Sequence, residues 1–309
     1  MKNKTNTFLK IFTLLSFAQV AFVHSASAHQ SDKNDYLPPL IEWHGKSERL
    51  IVDSSNPWQT PSEKSNLQDT PNYQETFAYL DKLVASDKRL NKISLGKSPQ
   101  GRDIWMVIAN NEGIKEPQKL IKQAKPTLLV QAGIHSGEID GKDAGLMLMR
   151  DIIHGGKDEL LKEVNWLFVP VLSADAHERI SPFNRVNQRG PTSMGWRTNL
   201  QNLNLNRDYA KLDTPELQHL IKAINVWQPD LYFDVHVTDG EDYQYDITYG
   251  FNGEHGDSPN ISRWLKNTFK PSIDKVLSDN GHLGGPLTFG LDSMEFNKGL
   301  FGWTASPRF

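Results

Sequence analysis

The 309-residue sequence contains no cysteine, which excludes disulfide bonds and every metal site built on thiolate ligands. Any metal that the protein binds must therefore be held by nitrogen and oxygen atoms. The chain also lacks a strong charge of either sign, because 34 lysines and arginines and 37 aspartates and glutamates leave a formal net charge of −3. This balance gives no electrostatic reason to expect a nucleic-acid partner, and we predict none.

Long apolar runs are missing from the sequence except near its start. There, three lysines precede an apolar run over residues 11–23, and Ala26-Ser27-Ala28 forms a small-x-small cleavage site. This pattern predicts an export signal over residues 1–28 that is cleaved, and the alternative is a short transmembrane anchor. The run is short for crossing a bilayer, which takes about 20 apolar residues. We therefore expect a periplasmic or secreted protein with no stable membrane insertion after cleavage.

The rest of the chain has the composition of a globular protein, with 38% hydrophobic and 23% charged residues. Residues 29–70 are polar and rich in Ser, Asp, Asn and Pro, which predicts an irregular lead-in with little regular structure. Periodic apolar patterns begin near Tyr73. We therefore predict one folded domain over residues 71–309.

Apolar patterns in this domain alternate between helix and strand. Helices are predicted at 73–84, 144–153 and 215–227, and strands at 93–95, 104–109, 127–131, 164–172 and 230–235. The alternation predicts an α/β fold with a mixed, largely parallel central sheet flanked by helices. In such sheets, ligands bind at the carboxyl ends of the strands.

Candidate metal ligands follow two of these strands. His135 and Glu138 lie in the glycine-rich stretch QAGIHSGEIDGKDAG after the strand at 127–131, and His236 follows the strand at 230–235. Residues three apart can meet one ion if the chain turns between them. Two histidines and a glutamate form the ligand set of one class of catalytic zinc site, in which water takes the fourth position. The alternative is chance, because H-x-x-E pairs and loop histidines are common without a metal.

Arginines and asparagines gather between these segments, at 184–189 and 204–209. A polar surface loop with Asx turns would explain many of the asparagines. Arginine, however, pairs with a carboxylate through two parallel hydrogen bonds, and a neighbouring asparagine adds a donor. A metal site beside such a carboxylate clamp would cut next to a free carboxylate, which describes a carboxypeptidase.

From about Tyr73 onward, the chain resembles the zinc metallocarboxypeptidases, the carboxypeptidase A-like (M14) family. The resemblance rests on four motifs in the family's order, at residues 95–102, 133–138, 205–208 and 234–236. It implies the zinc carboxypeptidase-like fold and the hydrolysis of C-terminal peptide bonds. Peptide or protein C-termini are then the expected substrates.

The resemblance also implies the roles of individual residues. His135, Glu138 and His236 are the expected ligands of one zinc ion. Asn206 and Arg207 are expected to bind the terminal carboxylate of the substrate, and Arg189 is expected to stabilise the developing oxyanion. Arg185 lies close to Arg189 in the sequence, and the local alignment needs a one-residue shift.

Two segments depart from the family pattern. Residues 173–177 replace an Asn-Pro-Asp-Gly-like segment, and we expect His177 to be a loop histidine there. The family's general base is a glutamate on a late strand. Three glutamates that follow the third ligand are candidates, none of them in an apolar strand pattern: Glu241, Glu254 and Glu295. We expect the base to lie beyond Phe309, so turnover by these 309 residues alone should be negligible.

These patterns predict an exported zinc metallocarboxypeptidase. One alternative is an amidohydrolase of the same superfamily that acts on cell-wall peptides or N-acyl amino acids. The other is a non-catalytic module that binds zinc and a carboxylate but lacks the general base.

Overall fold

The structure is a computed structural model that describes residues 45–240, 243–251 and 258–287. All of these residues belong to one compact unit. The predicted export signal lies outside the described residues, and so do three candidate bases: Glu241, Glu254 and Glu295.

The described residues alternate between strands and helices. The strands are β1 (Leu90–Lys97), β2 (Asp103–Ala109), β3 (Thr127–Gln131), β4 (Asn165–Val169), β5 (Leu231–Asp234), β6 (Ile247–Tyr249) and β7 (Gly284–Pro286). The helices are α1 (Pro61–Lys64), α2 (Tyr73–Ser86), α3 (Pro117–Ile121), α4 (Asp140–His154), α5 (Leu160–Glu163), α6 (Ala174–His177), α7 (Pro215–Trp227), α8 (Pro259–Trp264) and α9 (Lys270–Asp279). Short 3-10 turns occur at Lys46–Leu50 and Leu205–Arg207, and a π-helical turn at Leu265–Phe269 joins α8 to α9.

The central sheet has five strands in the order β1-β2-β4-β3-β5. Strand β3 pairs in parallel with both β4 and β5, whereas β2 is antiparallel to β1 and β4. Four of the five strands therefore run in one direction, and β2 runs against them. The predicted mixed, largely parallel sheet is confirmed. Strands β6 and β7 form a separate parallel pair.

Helices cover both faces of this sheet, because successive side chains of a strand point to opposite sides. In β2, Val107 and Ala109 pack in a core that includes α2 and α4. Met106 and Ile108 pack in a second core that includes α7. The predicted flanking helices are thus present on both sides.

Helix α2 shows how the sequence determines one of these elements. Asn72 and Glu75 form a capping box, in which each side chain accepts a hydrogen bond from the other residue's backbone N–H. Phe77, Leu80 and Leu83 then recur on one face and are buried. The cap fixes the start of the helix, and the apolar face orients it against the sheet.

A buried ion pair anchors the described part of the lead-in to α4. Nη1 of Arg150 lies 2.6 Å from both carboxylate oxygens of Glu63. Both side chains are almost fully buried, and Glu63 also accepts a hydrogen bond from the backbone N–H of Thr60. This part of the lead-in therefore contributes to the core. Each helix within the described ranges is too short or too polar to cross a membrane.

Candidate metal centre

The candidate metal ligands follow two neighbouring parallel strands. Gln131, the last residue of β3, is in register with Asp234, the last residue of β5. The segments that follow these residues therefore leave the same edge of the sheet side by side. His135 comes four residues after Gln131, and His236 comes two residues after Asp234.

Two glycines permit the turn that brings His135 and Glu138 together. Gly133 has a φ of +65°, a left-handed conformation that side chains disfavour. A Cβ at Gly137 would lie 2.6 Å from Cδ of Arg185 and 2.9 Å from the carbonyl oxygen of Gly195. The turn closes with a 3.0 Å hydrogen bond from Glu138 N to His135 O. Any side chain at Gly137 would push the neighbouring loop away.

The three predicted ligands converge on one point. Nδ1 of His135 lies 2.8 Å from Oε1 of Glu138, and Nδ1 of His236 lies 2.8 Å from Oε2. The ligand atoms of the three residues all lie within 4.8 Å of one another. His135 and Glu138 are buried, whereas 31% of the His236 side chain is exposed. The cluster is therefore open to solvent on the His236 side.

The electrostatics of the cluster favour an ionised carboxylate at Glu138. Burial would raise the pKa of Glu138, but hydrogen bonds from His135 and His236 hold that pKa well below its usual range. Burial would lower the pKa of His236, but Asp234 and Glu138 raise it to about 10. A divalent cation at this point would displace the proton of His236. Two imidazoles and an ionised carboxylate match the ligand chemistry of zinc.

Each histidine also has a partner at its other ring nitrogen. Nε2 of His135 lies 2.9 Å from Oδ1 of Asn204, and Nε2 of His236 lies 3.1 Å from Oδ2 of Asp234. Such outer contacts fix the orientation of metal-binding histidines. The sequence analysis did not assign this role to Asn204 or Asp234, although both lie in or beside motifs that it identified.

The predicted carboxylate clamp lies next to His236. Nδ2 of Asn206 lies 3.4 Å from Nε2 of His236, and Nη1 of Arg207 donates to the Asn206 carbonyl at 2.8 Å. Buried Asp208 accepts hydrogen bonds from N and Oγ1 of Thr214 at 2.9 and 2.6 Å. The clamp segment is thus anchored to the start of α7, and Asn206 contacts the candidate ligand His236 at the ring nitrogen opposite Nδ1.

Among the described residues, Arg185 and Arg197 are the arginines whose side chains contact Glu138. Nη1 of Arg185 lies 2.9 Å from Oε1 of Glu138, and Nη1 of Arg197 lies 3.4 Å from the same atom. The Arg185 side chain is only 4% exposed, whereas 34% of the Arg197 side chain is exposed. Arg197 therefore reaches the open side of the cluster. The assignment of Arg189, which is half-buried, stays a prediction.

Arg197 was not among the residues predicted from the sequence, because its loop has no periodic pattern. The structure brings it to the site by pairing this loop with the His135 turn, through a 3.3 Å hydrogen bond from Ser136 N to Trp196 O. The sequence signal that could have identified Arg197 is its position seven residues before Asn204, in the polar region between the ligand segments.

His177 lies outside the group of candidate ligands. The expectation of a loop histidine is wrong, because α6 includes His177 and packing buries it. Its Nε2 atom lies 3.3 Å from Nζ of buried Lys142 and 3.2 Å from the carbonyl oxygen of Pro71. These contacts indicate a structural role.

Comparison with known proteins identifies a family and its fold. The model of the Peptidase_M14 family, described as zinc carboxypeptidase, matches residues 76–282. Carboxypeptidase D of Drosophila melanogaster is 26% identical over 185 residues, which are 56% of this chain and 12% of that protein.

Solved structures support the same fold. A metallo-carboxypeptidase from Burkholderia cenocepacia has a TM-score of 0.53 at 19% identity, over 75% of this chain and 57% of that one. A metallo-carboxypeptidase from Pseudomonas aeruginosa, in complex with (2-guanidinoethylmercapto)succinic acid, has a TM-score of 0.51 at 18% identity, over 74% of this chain and 55% of that one. The chain thus spans little more than half the length of these solved relatives.

Proposed function

Because the chain belongs to the zinc carboxypeptidase family, we propose that it is a zinc-dependent metallocarboxypeptidase that hydrolyses C-terminal peptide bonds. The convergence of His135, Glu138 and His236 beside the Asn206-Arg207 clamp carries this proposal. A metal site and a carboxylate-binding site in contact with each other select bonds next to a free carboxylate.

One zinc ion would be held by His135, Glu138 and His236. Zinc in such a site acts as a Lewis acid and makes a water molecule acidic enough to react near neutral pH. The turn through Gly137 places His135 and Glu138 together, and the parallel pairing of β3 with β5 supplies His236. The exposed part of His236 leaves a path for substrate.

The clamp and Arg197 would bind different parts of the substrate. Arg207, with Asn206 beside it, binds the terminal carboxylate through its planar guanidinium. Arg197 donates to the oxyanion that develops at the scissile carbonyl. We favour Arg197 over Arg189 for this role because Arg197 contacts Glu138 from the open side. Arg185 is buried against Glu138 and holds that carboxylate in place.

The assay for this function uses the protein purified from its source, in zinc-loaded and chelator-treated forms. We expect the zinc-loaded form to release C-terminal amino acids from peptides and to spare the same peptides with an amidated C-terminus. The proposal would be contradicted by cleavage that persists after zinc removal, or by equal cleavage of peptides with amidated and free C-termini.

The same assay separates the alternatives. Turnover of cell-wall peptides or N-acyl amino acids, without cleavage of ordinary peptides, would favour the amidohydrolase. Zinc and carboxylate binding without any turnover would favour the non-catalytic module.

We further propose that the protein is exported. Support comes from the basic start, the apolar run over residues 11–23 and the small-residue site at Ala26-Ser27-Ala28. Mass spectrometry of the protein from its source should find a mature N-terminus at His29. An uncleaved N-terminus at Met1 would contradict this proposal.

A further inference from the structure

A series of hydrogen-bonded side chains lies behind His236. The Tyr209 hydroxyl donates to Oδ2 of Asp234 at 3.1 Å, and this oxygen also lies 3.1 Å from Nε2 of His236. The hydroxyls of Tyr209 and Tyr232 are 2.8 Å apart, and the Tyr232 hydroxyl is 2.8 Å from Oε1 of Gln131. The series connects the interior of the sheet with a candidate metal ligand.

Each hydrogen bond in this series can be donated in the direction of Asp234. Gln131 is fully buried, and its Nε2 atom has no hydrogen-bond partner in the orientation described. The two ends of a side-chain amide are nearly identical in shape, so a 180° rotation places Nε2 beside the Tyr232 hydroxyl. Gln131 then donates to Tyr232, Tyr232 to Tyr209, and Tyr209 to Asp234. This arrangement places one proton in each contact of the series, and it leaves Oε1 of Gln131, in place of Nε2, without a partner among the described residues.

Asp234 consequently acts as an acceptor for two donors. An ionised carboxylate has only acceptor sites; it accepts from the Tyr209 hydroxyl, and a proton on Nε2 of His236, 3.1 Å away, gives it a second donor. The Asn206 side-chain amide, whose Nδ2 is recorded 3.4 Å from the same ring nitrogen, then directs its N–H groups elsewhere. With the proton on Nε2, the lone pair of a neutral His236 lies on Nδ1. This is the atom that lies 2.8 Å from Glu138 and faces the candidate metal position.

We propose that Asp234, held by Tyr209, is a positioning residue that directs Nδ1 of His236 to the metal and couples this ligand to the carboxylate clamp. The coupling follows from the chain itself, because Tyr209 lies two residues after Arg207 in the same short segment. This inference rests on the proposed function, since it assumes that the cluster binds zinc.

The test measures zinc affinity by competition with a chromophoric chelator. We expect Asp234→Ala to bind zinc about 10- to 100-fold more weakly than the wild type, which is the usual effect of losing an outer partner. Asp234→Asn should retain part of the affinity, because the amide oxygen still accepts from Nε2–H. Tyr209→Phe should weaken zinc binding by a smaller factor, because Asp234 remains but is less firmly held.

A second tyrosine–aspartate pair provides matched controls. The Tyr249 hydroxyl hydrogen-bonds to Asp274 away from the metal ligands. Tyr249→Phe and Asp274→Asn remove a similar interaction, so they should lower the melting temperature without changing zinc affinity. The absorption spectrum of the cobalt(II)-substituted protein supplies a further readout, which should change in the Asp234 variants and not in the controls.

The outcomes distinguish this inference from the proposed function. Failure of the wild type to bind zinc would overturn the proposed function. A zinc-binding wild type, with Asp234→Ala equal to it in zinc affinity and cobalt spectrum, would overturn only the positioning role. If Asp234→Ala fails to fold, Asp234→Asn and Tyr209→Phe decide the question. Zinc affinities equal to those of the control variants would then overturn the positioning role.

Discussion

Nδ1 of His236 lies 2.8 Å from Oε2 of Glu138, although 98 residues separate the two in the chain. This contact depends on the parallel pairing of β3 and β5, whose carboxyl ends lie at one edge of the sheet. Neither residue belongs to a strand, so their meeting also depends on the loops that follow. The expected effects of substitutions at this site and in the surrounding core follow from these contacts.

Removal of a candidate ligand should abolish tight zinc binding. We expect zinc-loaded wild type to hold about one ion per chain, because catalytic zinc sites use three protein ligands. Glu138→Gln and His236→Ala should lose the metal on dialysis, as measured by elemental analysis. His219→Ala removes a histidine outside the ligand group and should keep the wild-type content. Full zinc content in Glu138→Gln would contradict the ligand assignment.

Substitution of the arginines should separate the two candidates for oxyanion stabilisation. We expect Arg197→Ala to lower kcat about 10²- to 10³-fold, the usual loss on removing one oxyanion donor. Arg189→Ala should have a much smaller effect, and circular dichroism should show that both variants are folded. The opposite order of effects would restore Arg189 to the role predicted from the sequence.

Substitution of the clamp should weaken the binding of carboxylate ligands. We expect Arg207→Ala to bind a peptide with a free C-terminal carboxylate more weakly by at least about tenfold, because charge-assisted bidentate hydrogen bonds are lost. Calorimetry on the zinc-loaded protein measures this affinity. Arg263→Ala provides a control in α8, distant in sequence from the clamp. Unchanged affinity in Arg207→Ala would show that the carboxylate binds elsewhere.

Loss of the buried Glu63–Arg150 pair should strongly destabilise the fold. We expect Glu63→Gln to lower the free energy of unfolding by up to about 3–5 kcal/mol, because buried Arg150 would lose one of its two carboxylate partners and keep only Asp151 among the described residues. Urea denaturation measures the change. Asp279→Asn breaks an exposed pair with Lys275 and should cost less than about 1 kcal/mol. If Glu63→Gln and Asp279→Asn lowered the free energy of unfolding by the same amount, burial would not explain the stabilising effect of the Glu63–Arg150 pair.

Buried His177 should make the fold sensitive to acid. Burial and nearby Lys142 lower the pKa of His177 to about 3, against an ordinary value of 6.5. At pH values between these two pKa values, His177 is protonated in the unfolded state and neutral in the folded state. Stability should therefore fall as the pH drops below about 6.5, by at most about 1.4 kcal/mol per pH unit from this group.

The variant His177→Gln isolates this contribution. We expect its free energy of unfolding to fall less steeply than that of the wild type between pH 6 and pH 4, as measured by denaturation at several pH values. His219→Gln, which changes a half-exposed histidine, should keep the wild-type slope. Identical slopes for wild type and His177→Gln would contradict a neutral buried imidazole.

Long periodic segments were predictable from the sequence, whereas short elements were not. The strand at 127–131 and the helix at 215–227 coincide with β3 and α7. Helices α1 and α6 have only one turn each and leave no periodic pattern. Strand β7 reads Gly-Gly-Pro, which has low strand propensity, and its pairing with β6 depends on tertiary contacts.

By itself, the sequence determined the fold class and the family, because these depend on apolar periodicity and on motif residues close together in the chain. It also identified His135, Glu138 and His236 as a group, since ligand chemistry and strand ends are both visible in the sequence. Only the tertiary structure brought Arg185 and Arg197 to Glu138 and placed Asp234 and Tyr209 behind His236. These contacts are made by side chains of non-periodic loops and strand ends, whose partners depend on the path of the whole chain.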